Sequence, residues 1–563
     1  MAAIASQIRP GAYYDSVVLM QLQRALLTLP GVLDAGAVMA TPVNLDLLDA
    51  SGLRAETGAG ADDLLIVVKA EQREAAEAAI NQIDALLVRR RVAGETEFLP
   101  KSLEAAAHQL PEADWVLISV PGRFAAGVAR DALRLGKNVF LYSNNVSLED
   151  EATLKREALG RGLIVMGPDC GTAIVGGIGF GFANRTRRGP IGLVAASGTG
   201  LQAVASAIHR LGGGISQALG TGGRDLHAGV GAAAARQALD LLRRDPETSV
   251  IVLISKPPEG EVAGRVAAAA RRTGKPVVLN LIGLPGSGRS LGNLHFAGDL
   301  EEAAEIAVRL ANSPRVPADA PSSKGSARYL RGLFSGGTLA YEAVLGLQIV
   351  LHPLHTNVPL QASQRLEDPL HSTGHTILDL GADQFTVGRL HPMIDNDLRL
   401  RRLRQEANDA GTAVILLDVV LGEGAHPDPA AELAPAIAEV LHRGDLEILV
   451  CVIGTDLDPQ GLEGQIEKFR ACGARVFTGL RETLDQVVRL LPPDAEPWPA
   501  PVPLESVRAP AAINVGLESF YESLLAQGAA AVQVDWRPPA GGDERLMAIL
   551  AKMKGTGEPR QAS

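Results

Sequence analysis

The sequence predicts an α/β protein built from several parallel sheets, and three observations carry that reading. Glycine supplies 61 of 563 residues while aromatic residues make up only 4%, the balance expected where strand-to-helix turns run close together and the core is aliphatic. Short apolar runs recur, each closed by a Gly- or Pro-bearing turn and followed by an Ala-rich amphipathic stretch, which is the pattern of right-handed parallel crossovers. With 46% apolar and 21% charged residues, the chain has the make-up of a packed protein of several domains.

Taken in order, residues 1–98 read as a small N-terminal α/β unit, with helices over 15–29 and 71–90, strands over 35–39 and 64–69, and a turn at 40–44. Residues 99–188 read as a Rossmann-like unit: an apolar run over 115–121, helices over 124–135 and 148–159, and strands over 138–142 and 163–166. A third unit, 189–312, opens with the strand 191–197, runs into Gly198-Thr199-Gly200 and a helix to 211, and has further strands over 250–255 and 276–281. Residues 313–325 are a linker by composition. The fourth unit, 326–490, repeats the third: a strand over 329–335, then Gly336-Gly337-Thr338, a helix over 339–345, and strands near 414–419 and 448–453. The two Ser-Gly-Thr turns suggest duplication of a flavodoxin-like domain. A Pro-rich joint, 491–502, leads into a tail with a helix over 517–525, a strand over 531–534 and a turn at 538–542.

Composition narrows the function. The net charge of −11 opposes a phosphate backbone, so no nucleic-acid partner is expected. Three scattered cysteines, Cys170, Cys451 and Cys472, offer neither a disulfide frame nor metal spacing and fit a reducing compartment. The start of the chain has no apolar leader core, and no apolar run reaches the roughly 18 residues a membrane span needs. A cytoplasmic protein without a membrane span is expected. P-loop, nucleophile-elbow and G-x-G-x-x-G patterns are absent.

The candidate chemistry gathers in glycine turns. Glycine between a buried strand and a helix leaves backbone N–H groups and the helix dipole directed at one spot, a cradle for phosphate or carboxylate. Ser197-Gly198-Thr199-Gly200 and Ser335-Gly336-Gly337-Thr338 both have this form. Gly222-Gly223-Arg224-Asp225 adds a guanidinium and a carboxylate, suited to a doubly charged substrate or to a turn held by its own ion pair. Lys256, just after the 250–255 strand, could share the crevice with Ser197. In the fourth unit, Gly388-Arg389-Leu-His391-Pro-Met-Ile-Asp395 and the stretch through His426-Pro-Asp428-Pro set imidazoles beside carboxylates. These suit acid/base work or Mg²⁺ or Mn²⁺ ligation; N-capping Asp with surface His is the plainer reading. His352, His355, His371 and His375 lack metal-motif spacing, and no metal site is assigned. Cys170 reads as a small buried hydrophobe.

Three stretches carry a family resemblance. Residues 114–171, with Val-Pro-Gly-Arg-Phe124 and Gly167-Pro-Asp-Cys170, resemble the latter half of the CoA-binding domain of the succinyl-CoA synthetase α subunit, and residues 189–283 resemble its ligase domain. Over nearly the whole length the chain resembles the FdrA family, through Tyr14-Asp-Ser16, Met39-Ala-Thr-Pro-Val-Asn44, Ile254-Ser-Lys-Pro-Pro258, Phe334-Ser-Gly-Gly-Thr338, Gly388 to Asp395 and Gly424-Ala-His-Pro-Asp-Pro429. The tail around Asn514-Val-Gly-Leu-Glu518 and Val534 to Gly542 resembles the opening of companion proteins of FdrA.

The resemblance implies two activities. One is that of an NDP-forming acyl-CoA synthetase, in which a phosphorylated His ferries phosphate. Here the nearest such residue is His295, differently flanked, and the supporting Glu has no counterpart at Ser255-Lys256-Pro-Pro258. The N-terminal glycine loop for CoA phosphates and the ATP-grasp domain are missing from the pattern. The other activity, the leading expectation, is that of an oxamate carbamoyltransferase component in purine and allantoin breakdown: phosphate attacks the carbamoyl group of oxalurate, giving oxamate and carbamoyl phosphate. One of the two Ser-Gly-Thr turns then holds phosphate, Arg224 and Arg389 hold the acid, and His391 or His426, with Asp395, Asp428 and Lys256, handles protons and charge. Phosphate is the co-substrate, Mg²⁺ and CoA are further candidates, and companion subunits and an oligomer are implied. A scaffold subunit, docking partners through the tail after residue 511, is the non-enzymatic alternative.

Overall fold

The structure is a computed structural model, which describes all residues except 1, 11–15, 54–57, 61–62, 89–98, 284–288, 314–327, 444–445, 492, 494–495 and 539–563. The expected linker beyond Ser313, the turn at 539–542 and Tyr14-Asp15 lie outside the described residues. The chain is α/β, as its sequence predicts, and divides into two compact units, residues 1–105 with 534–563, and residues 106–533.

The first unit is a three-stranded antiparallel sheet in the order Ala3–Arg9, Leu64–Ala70, Val32–Met39. Leu64 to Val68 are all buried, so the central strand is a continuous apolar run rather than an alternating one. Its edge strand Ala3–Arg9 has a mixed sequence of small and polar residues, which hid it from pattern reading. The helix expected over 71–90 is broken into Arg73–Asn81 and Ile83–Val88.

The second unit contains three sheets. A six-stranded, all-parallel sheet runs in the order Leu354–Thr356, His375–Asp379, Tyr329–Phe334, Thr412–Val420, Glu447–Ile453, Arg475–Phe477. An eight-stranded sheet has a parallel centre, Val277–Leu281, Val250–Ser255, Arg188–Ala195 and Ile215–Gly220, with short antiparallel pairings at its ends. Both follow the flavodoxin-like expectation of strands joined by crossover helices.

The five-stranded sheet corrects the reading of the tail. Its order is Ala531–Val534, Ala512–Val515, Trp115–Ile118, Asn138–Leu141, Val165–Met166. The tail strand Ala512–Val515 pairs in parallel with Trp115–Ile118, residue for residue from Ala512↔Trp115 to Val515↔Ile118, and is fully buried. It therefore completes a sheet of its own chain and is no free docking surface. Strand order reverses between these two neighbours: one half winds outward through helix Glu518–Ala526, the other through helix Gly122–Arg134. The sheet is thus a doubly wound Rossmann-like unit whose first strand, glycine turn and helix come from the C-terminal end of the sequence.

Candidate functional site

Ligands of open parallel sheets gather beyond the carboxyl ends of the strands, and the eight-stranded sheet places a crevice there. Ala195 is in register with Gly220 on one side and Ile254 on the other, so Ser197, Thr221 to Gly223, and Lys256 emerge along one edge. Ser197 caps helix Gly198–Arg210, its hydroxyl accepting the Gly200 N–H at 3.1 Å. Gly222 has φ +86°, and a Cβ there would stand 2.5 Å from the Pro168 carbonyl oxygen, so only glycine lets this turn press against the 167–171 loop. A Cβ on Gly223 would lie 3.7 Å from Lys256 Nζ and 3.8 Å from Asp169 Oδ2. Lys256 is exposed, and its ammonium makes no hydrogen bond or ion pair with any described residue. Thr199 at the helix mouth is exposed as well.

Arg224 and Asp225, expected to face a ligand, fasten this turn instead. Buried Lys155 donates from Nζ to Glu151 Oε1, Asp225 Oδ1 and the Thr221 carbonyl oxygen, each at 2.8 Å. Asp225 also accepts the N–H groups of Ala234 at 3.1 Å and Ala235 at 2.9 Å, at the start of helix Ala233–Arg244. Arg224 donates to Glu151 Oε2 at 2.9 Å and the Val146 carbonyl at 2.8 Å. A buried cation between two carboxylates is satisfied as a set. Lys155 was invisible to motif reading, since it sits mid-helix in Leu148–Arg161 with a bland i,i+4 Glu partner. Cys170 is buried, and burial pushes its thiol up to about 12, in keeping with a packed hydrophobe.

The six-stranded sheet builds a second crevice. Gly336 heads helix Gly337–Leu347 without any side-chain cap, and Thr338 is exposed. A Cβ on Gly337 would lie 3.0 Å from Asp379 Oδ2; one on Gly381 would lie 2.7 Å from His391 Nε2 and 3.2 Å from Asp379 Oδ1. Asp379 and His391 thus converge at the helix mouth. Burial raises the Asp379 carboxyl above its ordinary range, against the Gly381 N–H and His391, which pull it down. His391 Nδ1 accepts the Met393 N–H at 3.2 Å, so a neutral ring carries its proton on Nε2. Asp379 was missed because it stands alone at the end of an apolar strand, away from the conspicuous loops. Arg389 is exposed, with no side-chain partner among the described residues.

Other residues expected here are structural. Ser335 is buried and its hydroxyl is bound to Asp418 at 2.8 Å, so it faces no ligand. His426 stitches its loop to the His391 loop by donating its N–H to the Met393 carbonyl at 2.8 Å, and its Nε2 lies 3.0 Å from Glu432. Asp428 caps helix Pro429–Arg443 through the Ala431 N–H at 3.1 Å and pairs with Lys468, whose ammonium holds the carboxyl down at about 2; a base that acidic is a poor general acid or base near neutrality. Asp395 accepts the Asp397 N–H at 2.9 Å at the head of helix Asp397–Ala407. His295 pairs with Val278 near the amino end of its neighbouring strand and contacts Ser290 Oγ at 3.0 Å, away from the carboxyl edge. Among the described residues no cluster of three or more His, Cys, Asp or Glu could hold a metal ion.

Residues 333–489 match the CoA-ligase family, so this segment is a domain of CoA-ligase type, in keeping with its glycine-headed helix at the carboxyl edge of a parallel sheet. The chain belongs to the family of YahF, an uncharacterized protein of Escherichia coli (strain K12), with which it is 40% identical over 490 residues covering 83% of this chain and 94% of that one. It is also 29% identical over 179 residues to the alpha subunit of ADP-forming succinate–CoA ligase from Aquifex aeolicus (strain VF5), a match that covers 30% of this chain and 56% of that one. Residues 1–100 match a heavy metal-associated domain named for AllF; they contain neither Cys nor His, so thiolate and imidazole donors are missing there. Among solved structures, the apo dinucleotide-forming acetyl-coenzyme A synthetase 1 of Ca. Korarchaeum cryptofilum is 16% identical over 68% of this chain and 84% of that one, with a TM-score of 0.29. The ATP citrate lyase of Methanothrix soehngenii with citrate and coenzyme A is 23% identical over 38% of each chain, with a TM-score of 0.28. Among the described residues no helix is long and apolar enough to cross a membrane.

Proposed function

We propose that this chain is the phosphate-binding subunit of a CoA-ligase-type enzyme that interconverts an acyl-CoA and an acyl phosphate. The observation that carries the reading is Lys256: an unpaired ammonium close to the turn at Gly223, at the end of the strand next to the one that leads into the helix mouth at Gly198 and Thr199. Phosphate held there would accept from backbone N–H groups and be balanced by one cation. Its oxygen forms a bond to the thioester carbon, the C–S bond breaks, and the leaving thiolate takes a proton. The proton comes from water; His391, whose neutral ring carries its proton on Nε2, would donate a hydrogen bond to an acyl oxygen reaching the second crevice, and Asp379 is the residue that would take a Mg²⁺ ion there. CoA, when bound, supplies the thiol. Its place would be the strand-order reversal of the five-stranded sheet, where the tail provides the strand–glycine–helix turn at Val515-Gly516-Leu517 that the N-terminal sequence lacks.

A second reading, carbamoyl transfer, is favoured by the same tautomer of His391 and by the position of His295. Neither imidazole is arranged as a phosphate acceptor, and direct attack of phosphate on the carbamoyl carbon of oxalurate needs none; the C–N bond breaks and the oxamate nitrogen takes the proton. The test supplies the full chain, with the companion subunits that the FdrA resemblance implies, with phosphate and either acetyl-CoA or oxalurate. Free thiol from acetyl-CoA supports the first reading, and carbamoyl phosphate from oxalurate the second. Neither product sinks phosphate-dependent acyl transfer altogether.

A further inference from the structure

Away from both crevices, a cavity of about 450 Å³ lies where helix Gly260–Arg271 meets the loop over 350–353 and His375, with Glu496 and Pro497 on its rim. That volume is within the range of small-molecule sites, roughly 300–1,000 Å³. Ala268, Val350 and Leu351 give it an apolar wall, and Glu261, Arg265, His352 and His375 a polar one.

Three features set it apart from a packing gap. Gly264 stands inside the helix, where glycine is unfavourable, and a Cβ there would lie 2.7 Å from the Cβ of His352 and 2.9 Å from its Cγ; the glycine lets the imidazole lie against the helix as a wall of the cavity. His375 is 6% exposed, and its Nδ1 accepts the Leu330 N–H at 3.2 Å. Its ring proton is therefore on Nε2, which finds no acceptor among the described residues. Arg265 reaches Glu261 at 3.2 Å and Glu496 at 3.7 Å through its outer nitrogens, yet its buried Nε has no hydrogen-bond partner. Buried donors are rarely left unpaired, and Arg265 Nε is such a donor on a residue lining the cavity, with the His375 ring on the same lining.

We propose that this cavity is a second ligand site, for a small organic carboxylate whose oxygens accept from His375 Nε2 and Arg265 Nε while its apolar body lies on Ala268, Val350 and Leu351. A bound acid would bridge the helix of the eight-stranded half and the loop of the six-stranded half, so the site is placed to act as an effector site. Glu261 and Glu496 select against polyanions, which separates it in chemistry from the Lys256 crevice.

The test is calorimetric titration of the full-length chain with benzoate, and separately with inorganic phosphate. Benzoate is expected to bind the wild type. Arg265→Gln, at a half-exposed position that leaves the fold intact, should weaken benzoate by about tenfold or more, the loss of one charge-assisted hydrogen bond, and leave phosphate binding unchanged. Ala268→Phe, which fills the cavity, should abolish benzoate binding; its circular dichroism confirms folding. Absence of benzoate binding to the wild type, or equal affinity in wild type and Arg265→Gln, overturns the proposal. Phosphate binding reports separately on the Lys256 site.

Discussion

Ser335 donates both its backbone N–H and its hydroxyl to the carboxylate of Asp418, at 2.7 and 2.8 Å, in a fully buried pocket. The pair ties the carboxyl end of Tyr329–Phe334 to its neighbour Thr412–Val420. Arg399, also buried, approaches the same carboxylate at 3.3 Å. In the other half, Ser197 directs its hydroxyl at its own helix. The Ser-Gly-Thr turns are thus repeated in sequence but not in their bonding: one serine caps its own helix, and the other anchors two strands.

Removing the charge of Asp418 should therefore be worse than removing the Ser335 hydroxyl. Asp418→Asn leaves the Arg399 guanidinium buried without a counter-charge and is expected to lower stability by about 3–5 kcal/mol. Ser335→Ala removes one donor from the carboxylate and should lose about 1–3 kcal/mol. The urea midpoints of the two variants give the order directly, and a larger loss for Ser335→Ala would show that the serine, not the ion pair, holds the strands.

His375 gives a pH dependence with a defined sign. Burial, and then Arg331 and Arg271, lower its value from 6.5 to about 3. Between those values the unfolded chain binds a proton that the folded chain refuses. This contribution is complete above pH 6.5 and is lost as the pH falls towards 3, by about 1.4 kcal/mol per pH unit for one proton. His375→Asn keeps an acceptor for the Leu330 N–H and removes the titration, so its unfolding free energy should vary less steeply with pH over this interval by one proton. An unchanged slope would mean that His375 titrates normally.

Sequence patterns served well where one stretch of chain determines the outcome. The strand Val250–Ser255 and the tail strand Ala531–Val534 fall where their apolar runs place them, and Ser197 caps the helix that its glycine turn announces. They served poorly where partners lie far apart in the chain. Nothing near Ala512 indicates that its strand belongs beside Trp115, and nothing near Asp225 indicates that its partner is Lys155. Asp428 and His426 stood out as imidazole beside carboxylate, yet capping and an ion pair with Lys468 occupy the one, and Glu432 the other. A local motif records which groups are available, not which are already bound.

His391 offers the kinetic test. His391→Gln keeps an acceptor for the Met393 N–H but takes the ring's Nε2 donor out of place. Under the proposed role kcat should fall by about 10²–10³ with little change in the KM for phosphate, since phosphate is assigned to the Lys256 crevice. Lys256→Met should do the reverse, raising the KM for phosphate first. Full activity in His391→Gln removes this residue from charge stabilisation.

Gly516 tests whether the tail belongs to the Rossmann-like sheet in solution. Its φ is +127°, and a Cβ would stand 2.4 Å from Ser119 Oγ, the atom that accepts the Leu517 N–H at 2.7 Å. Gly516→Ala must therefore push the tail off the end of Trp115–Ile118 as well as strain the backbone, and should lose more than the roughly 1–3 kcal/mol that an unfavourable φ alone costs. Gly528 is the control: its φ is +82° but nothing lies within 4 Å of its Cβ position, so Gly528→Ala bears the backbone strain only. The readout is unfolding free energy together with proteolysis in the Pro-rich joint before residue 511. Gly516→Ala should be the less stable variant and the faster cleaved. Equal behaviour of the two alanine variants would mean that the tail does not press on Ser119, and the strand-order reversal would then be no place for a ligand.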